Sequence, residues 1–225
     1  METQEILFEQ DAKYFIDLHK ATLLASYDNI PKAADVIYVF GRTESDSEEV
    51  LSFCNFLYQL GSYNNILIPG GEKGFHGFAG FQEWKNKLIH YGIPEEKIMK
   101  TTPTRHTHEE AEFIIKETKR REWKTIIFIA HAHQILRCFL DLVNSFQNEY
   151  SNKEGAYHDF VWLHAACPRN TDWRRIVYGN QGEKKMLRQD HIYEELIRIP
   201  KYQAKGDLAS FSDFFKYLTT RETKK

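Results

Sequence analysis

Three short, almost wholly apolar runs, each ended by a turn-forming or polar residue and each followed by an amphipathic helical pattern, constrain this chain more than any other feature. They are Asp35–Phe40 (DVIYVF) before Gly41, Asn65–Ile68 (NILI) before Pro69-Gly70-Gly71, and Thr125–Ala130 (TIIFIA) before His131. Their length and their β-branched and aromatic content read as strands. The helical pattern after the first carries Val50, Phe53, Cys54 and Leu57 on one face, and the pattern after the second carries Phe81, Trp84, Leu88 and Tyr91. A strand that is apolar on both faces must be covered on both, and in alternation with helices that calls for a parallel sheet between two helical layers.

Two weaker runs, Lys97–Lys100 and Phe160–His164, predict further strands. The fold class expected is therefore α/β, a Rossmann-like open parallel sheet of about five strands with helices on both faces and the first strand central. A chain of 225 residues, 42% hydrophobic, suits one domain with a single continuous architecture. Its core is expected over 35–165. A helical lead-in within 1–30 precedes it, and a C-terminal helical extension over 180–220 follows, with helices near 183–198 and 208–219.

Charge and composition narrow the partners. Thirty basic against 32 acidic side chains give a formal charge of -2, so no bulk field recruits nucleic acid or an anionic membrane, and neither is expected as a partner. No apolar run approaches the roughly 20 residues that span a bilayer. The N-terminus, METQEILFEQD, has neither the basic nor the apolar region of a secretory leader. Cys54, Cys138 and Cys167 are odd in number without metal-type spacing, which points to buried thiols and a cytoplasmic setting. Trp84, Trp123, Trp162 and Trp173 read as packing residues, and Arg221–Lys225 as a solvated tail.

Parallel strands deliver their following loops to one edge of the sheet, and there the unusual residues collect. Gly41-Arg42-Thr43 follows the first strand, Gly70-Gly71 the second, Thr104 to His108 the third and His131 to Arg137 the fourth. Glycines admit a ligand to the backbone, guanidinium groups counter negative charge, and helix N-termini favour anions. The third loop, PTRHTHEEA, also has the form of a capping box, with Thr107 as N-cap and Glu110 three residues on. Arg42, Gly70, Thr104, Thr107, His131 and Arg137 are expected to line one pocket, His106 or His133 its rim, and Arg42 and Thr104 to lie outside the core.

The order VIYVFGR, ILIPGG, HYGIPEEKIMK, TRHTHEEA and TIIFIAHAHQILRCF resembles the YdcF-like family, the group of α/β domains that includes ElyC, SanA and YdcF. The likeness runs over roughly 35–147, and Tyr202–Leu208 also resembles the family's C-terminal end. It matches Gly70 and Gly71 to a glycine turn, Thr104, Thr107 and Glu109 to a Ser, Thr and Glu, and Arg137 to an Arg. The chain departs at Pro69, His106, Glu110, Ala130-His131 and Gln134, where the family pattern has Ser, Asn, Asn, Thr-Ser and His. The resemblance implies a nucleotide-type ligand, with S-adenosylmethionine the sharpest candidate.

The leading functional expectation is thus a small-molecule site for a nucleotide-type or phosphorylated ligand, formed by Gly41, Arg42, Gly70, Gly71, Thr104, Thr107, Glu109, His131 and Arg137. A second is a hydrolase. His131 or His133 would act as an acid or base at neutral pH, or His106, His108, His131 and His133 would hold a metal, although no metal is the leading expectation. A third is a non-catalytic scaffold, to be preferred if the four loops form no common pocket.

Overall fold

The structure, a computed structural model, describes residues 2–74, 77–150, 159–179 and 184–224, with side chains from residue 11 onward. Helix α1 (Glu2–Ser26) leads into β1 (Ala33–Val39), α2 (Glu44–Leu60), β2 (Ser62–Ile68), α3 (Phe81–His90), β3 (Ile98–Lys100), α4 (Thr107–Arg121), β4 (Thr125–Ile129), α5 (Ile135–Tyr150) and β5 (Trp162–Ala166). The five strands form an all-parallel sheet in the order β3-β2-β1-β4-β5, so β1 is central. The fold is the expected Rossmann-like α/β sheet.

Strand alternation splits the core into two layers. Val36, Tyr38 and Phe40 of the first strand segment, with Ile126, Phe128 and Ala130 of the fourth, face the side packed by α1, α4 and α5. Ile37, Val39, Ile127 and Ile129 face the opposite side, packed by α2 and α3. Helix α5 is buried along most of its length, from Ile135 through Phe146, because it lies between α4 on one flank and α1 on the other.

The chain beyond β5 departs from the expected run of helices. An antiparallel ribbon, β6 (Ile176–Tyr178) with β7 (Lys185–Leu187), comes first, and helix α6 begins only at Asp190, running Asp190–Lys205. Three-residue strands carry too little periodicity to be read from sequence. The ribbon lies on the start of α2, where Tyr178 N donates to Ser45 Oγ at 3.0 Å and Thr43 Oγ1 donates to the Tyr178 carbonyl at 3.3 Å.

Helix α7 (Phe211–Thr223) closes the fold by covering the free edge of β5. An edge strand exposes backbone groups that must be bonded or hidden. Tyr217 Oη accepts from Leu163 N at 2.8 Å, Arg221 Nη1 donates to the Leu163 carbonyl at 2.7 Å, and Asp28 Oδ2 accepts from Ala165 N at 2.9 Å. Arg221, expected in a solvated tail, is therefore buried and paired with Asp28 at 2.6 Å. Trp84 and Trp123 are core residues, and the three cysteines are free and buried. Among the described residues no helix is long and apolar enough to cross a membrane.

Candidate functional site

Strand order reverses between β1 and β4, and the crevice that such a reversal opens at the carboxyl edge is the usual ligand position in an open α/β sheet. A cleft of about 130 Å³ lies there. All four strand-end loops contribute to it. Gly41 and Arg42 come from the first, Pro69, Gly71 and Phe78 from the second, Thr104 to Thr107 and Glu110 from the third, and Gln134 and Arg137 from the fourth. Helix α6 adds Arg198 and Tyr202. The aliphatic strands make this convergence compulsory, since their parallel register aligns the four loops at one edge.

Of the residues expected to bind, Gly41, Arg42, Gly71, Thr104, Thr107 and Arg137 line the cleft, and so does His106. Gly70, Glu109 and His131 do not. Gly70 is pressed on the end of β3, where its N–H donates to Thr101 Oγ1 at 3.0 Å and a Cβ would stand 1.9 Å from the Thr101 carbonyl oxygen. Its glycine is a packing requirement. Glu109 turns outward to Arg105, accepting from the backbone N–H at 2.7 Å and from the guanidinium at 2.6 Å.

His131 is fully buried behind the cleft, with Nε2 2.8 Å from the Asp46 carbonyl oxygen and 3.2 Å from Asp46 Oδ1. Two acceptors at Nε2 require the proton on that nitrogen. His133 stacks between His131 and His191 at centroid distances of 5.6 and 5.7 Å, and its Nε2 lies 3.2 Å from Arg42 Nη2. Burial, then the Arg42 charge, pushes the His133 pKa well below the usual imidazole value. Neither histidine lines the cleft. His108 engages Asp141 at 3.1 Å, and among the described residues no group of three or more His, Cys, Asp or Glu side chains is arranged to hold a metal ion.

The opening of α4 differs from the expected capping box. His106 is the N-cap, its Nδ1 accepting from Glu109 N at 3.4 Å, and Thr107 is already the first helical residue. The register moves by one because Glu110 does not reach back to the cap. It points inward, where its Oε1 accepts from Tyr38 Oη at 2.5 Å and from Gly41 N at 2.9 Å. Burial raises the Glu110 pKa and outweighs these two hydrogen bonds.

Arg42 lies in the core rather than outside it, only 4% exposed. Its guanidinium holds Asp46 and Gln134. Burial would raise the Asp46 pKa, but Arg42 and His131 reverse that and hold it well below the ordinary carboxylate range. Arg137 Nε donates to Glu195 Oε2 at 2.5 Å, and Arg198 Nη1 donates to Glu195 Oε1 at 3.0 Å. Burial of Glu195 is likewise outweighed, first by Arg137, so its pKa is lowered. Carboxylates behind the cleft thus fix the orientation of the cations that line it.

Sequence reasoning missed Pro69, Phe78, Arg105, Glu110, Gln134, Arg198 and Tyr202 as lining residues, and Asp46, Arg188 and Glu195 as buried supports behind the cleft. Asp46 alone carried a local signal, an acid four residues after Arg42 on a helix start. No protein-family model, curated protein or solved structure matches the chain.

Proposed function

We propose that the cleft binds a small molecule with an anionic group, of nucleotide type or otherwise phosphorylated, in a YdcF-like domain of the cytoplasm. The observation that carries this reading is the meeting of four strand-end loops with Arg42, Arg105, Arg137 and Arg198 around one cleft at the β1/β4 reversal. Guanidinium groups pair with phosphate and carboxylate oxygens through fixed donor geometry, and those pinned by Asp46 and Glu195 need little reordering to do so. Phe78, His106 and Tyr202 supply aromatic surface for a base. S-adenosylmethionine, implied by the family resemblance, is the first ligand to test. Buried free thiols fit a reducing compartment.

The test is calorimetry with S-adenosylmethionine, nucleotides and sugar phosphates on wild type and on a Thr104→Ala, Arg105→Ala double variant. Both side chains line the cleft outside the core, so the variant keeps the fold. A hydrogen bond to a charged group is worth enough that affinity should fall on the order of tenfold or more. Equal affinities in the two proteins, or no binding to any ligand, would refute the reading.

A further inference from the structure

We propose that Glu110 is a hydroxyl-reading residue, and that the ligand of the cleft is a phosphorylated polyol or ribonucleotide whose hydroxyl groups donate to its carboxylate. This inference rests on the small-molecule reading above and specifies its chemistry.

The two oxygens of Glu110 have different surroundings. Oε1 is saturated by two donors, Tyr38 Oη and Gly41 N. The approach is close: a Cβ on Gly41 would lie 3.2 Å from Oε1, tighter than an ordinary contact. Oε2 makes no hydrogen bond to any described residue, yet it is not sealed from solvent, and Glu110 lines the cleft. A side chain 6% exposed thus gives the cleft one acceptor atom, already oriented by the bonds on its twin.

Once ionised, an acceptor so placed selects donors and repels anions. A ligand phosphate therefore belongs with the guanidinium groups that line the cleft, Arg105 and Arg198 among them, and the part facing Glu110 must carry hydrogen. A ligand ammonium group would also carry it, but Arg137 lines the same cleft and already bears on the Glu110 charge, so a second cation there meets repulsion. Neutral hydroxyl groups meet none, and a carboxylate is the common partner of ribose hydroxyls in Rossmann-like sites. Thr104, before α4, and Thr107, on its first turn, line the same cleft.

The test needs no variant in its first arm. Wild-type protein is titrated with adenosine monophosphate and ribose phosphate, and with dideoxyadenosine monophosphate and deoxyribose phosphate. A site built to bond a hydroxyl discriminates strongly against the analogue lacking it, so the deoxy forms should bind at least about tenfold more weakly. In Glu110→Ala, which leaves no side-chain partner for the ligand hydroxyl at that place, the ratio should shrink toward one, with the thermal midpoint recorded to confirm folding. Binding of hydroxylated and deoxy ligands with equal affinity would overturn the inference while leaving the anion site standing. Failure of all four ligands to bind would overturn the inference, and the small-molecule reading would fall with it only if S-adenosylmethionine also failed to bind.

Discussion

Arg188 sets Nε 3.0 Å and Nη2 2.8 Å from a single oxygen of Asp46, and neither side chain is exposed. The other carboxylate oxygen takes Arg42. One acid on the first turn of α2 therefore joins a cleft-lining residue to the segment that follows the ribbon. Removing one partner of a buried ion pair strands charge in the interior, at a cost of about 3–5 kcal/mol. Asp46→Ala takes the carboxylate from Arg42 and leaves Arg188 only Glu49 and the Asp172 carbonyl, so the unfolding free energy measured in urea should fall by about that much. Because its folded-state pKa is depressed, Asp46 contributes fully at neutral pH, and its contribution should fade only as pH drops below the ordinary carboxylate range. A midpoint within experimental error of wild type at pH 7 would contradict the assignment.

The adjacent glycines of the second loop should respond differently to the same change. Gly70→Ala drives a methyl into the Thr101 carbonyl, backbone against backbone, whereas Gly71→Ala meets only the edge of Phe78 at 3.4 Å. The first should destabilise by about 1–3 kcal/mol or more, the second by less than about 0.5 kcal/mol. Equal denaturation midpoints for the two variants would count against this packing.

Glu110 gives a pH signature. Its pKa is raised, so the folded state holds a proton at pH values where the unfolded chain has lost it, and stability falls as pH rises through that window. Glu110→Gln, which keeps the acceptor for Tyr38 and Gly41, should melt higher than wild type at pH 8, with the difference shrinking as pH falls toward the ordinary carboxylate value. Parallel melting curves across that range would argue against the burial penalty.

The cap of α4 is assigned to His106 and not Thr107. At 3.4 Å the bond is long, so His106→Ala should cost near the low end of cap losses, about 0.5 kcal/mol. Thr107→Ala should leave the thermal midpoint within error. The reverse order of effects would restore the capping box.

Local periodicity was enough to dictate the sheet, its central strand and the edge at which four loops meet. Runs such as VIYVF and TIIFI can be buried on both faces only in a covered parallel sheet, and parallel strands leave their loops no other edge. What each loop residue does there was decided by tertiary structure. The pattern THEE fits a cap or an inward carboxylate equally well, and only the docking of α4 beside Tyr38 and Gly41 chooses the second for Glu110. His131 and Gln134 are three residues apart, yet one is sealed behind Asp46 and the other faces the cleft. Arg137 meets Glu195 across 58 positions of chain, and Arg188 meets Asp46 across 142. No short-range pattern encodes such pairs, since buried charges find their partners only once the layers that exclude water have closed around them.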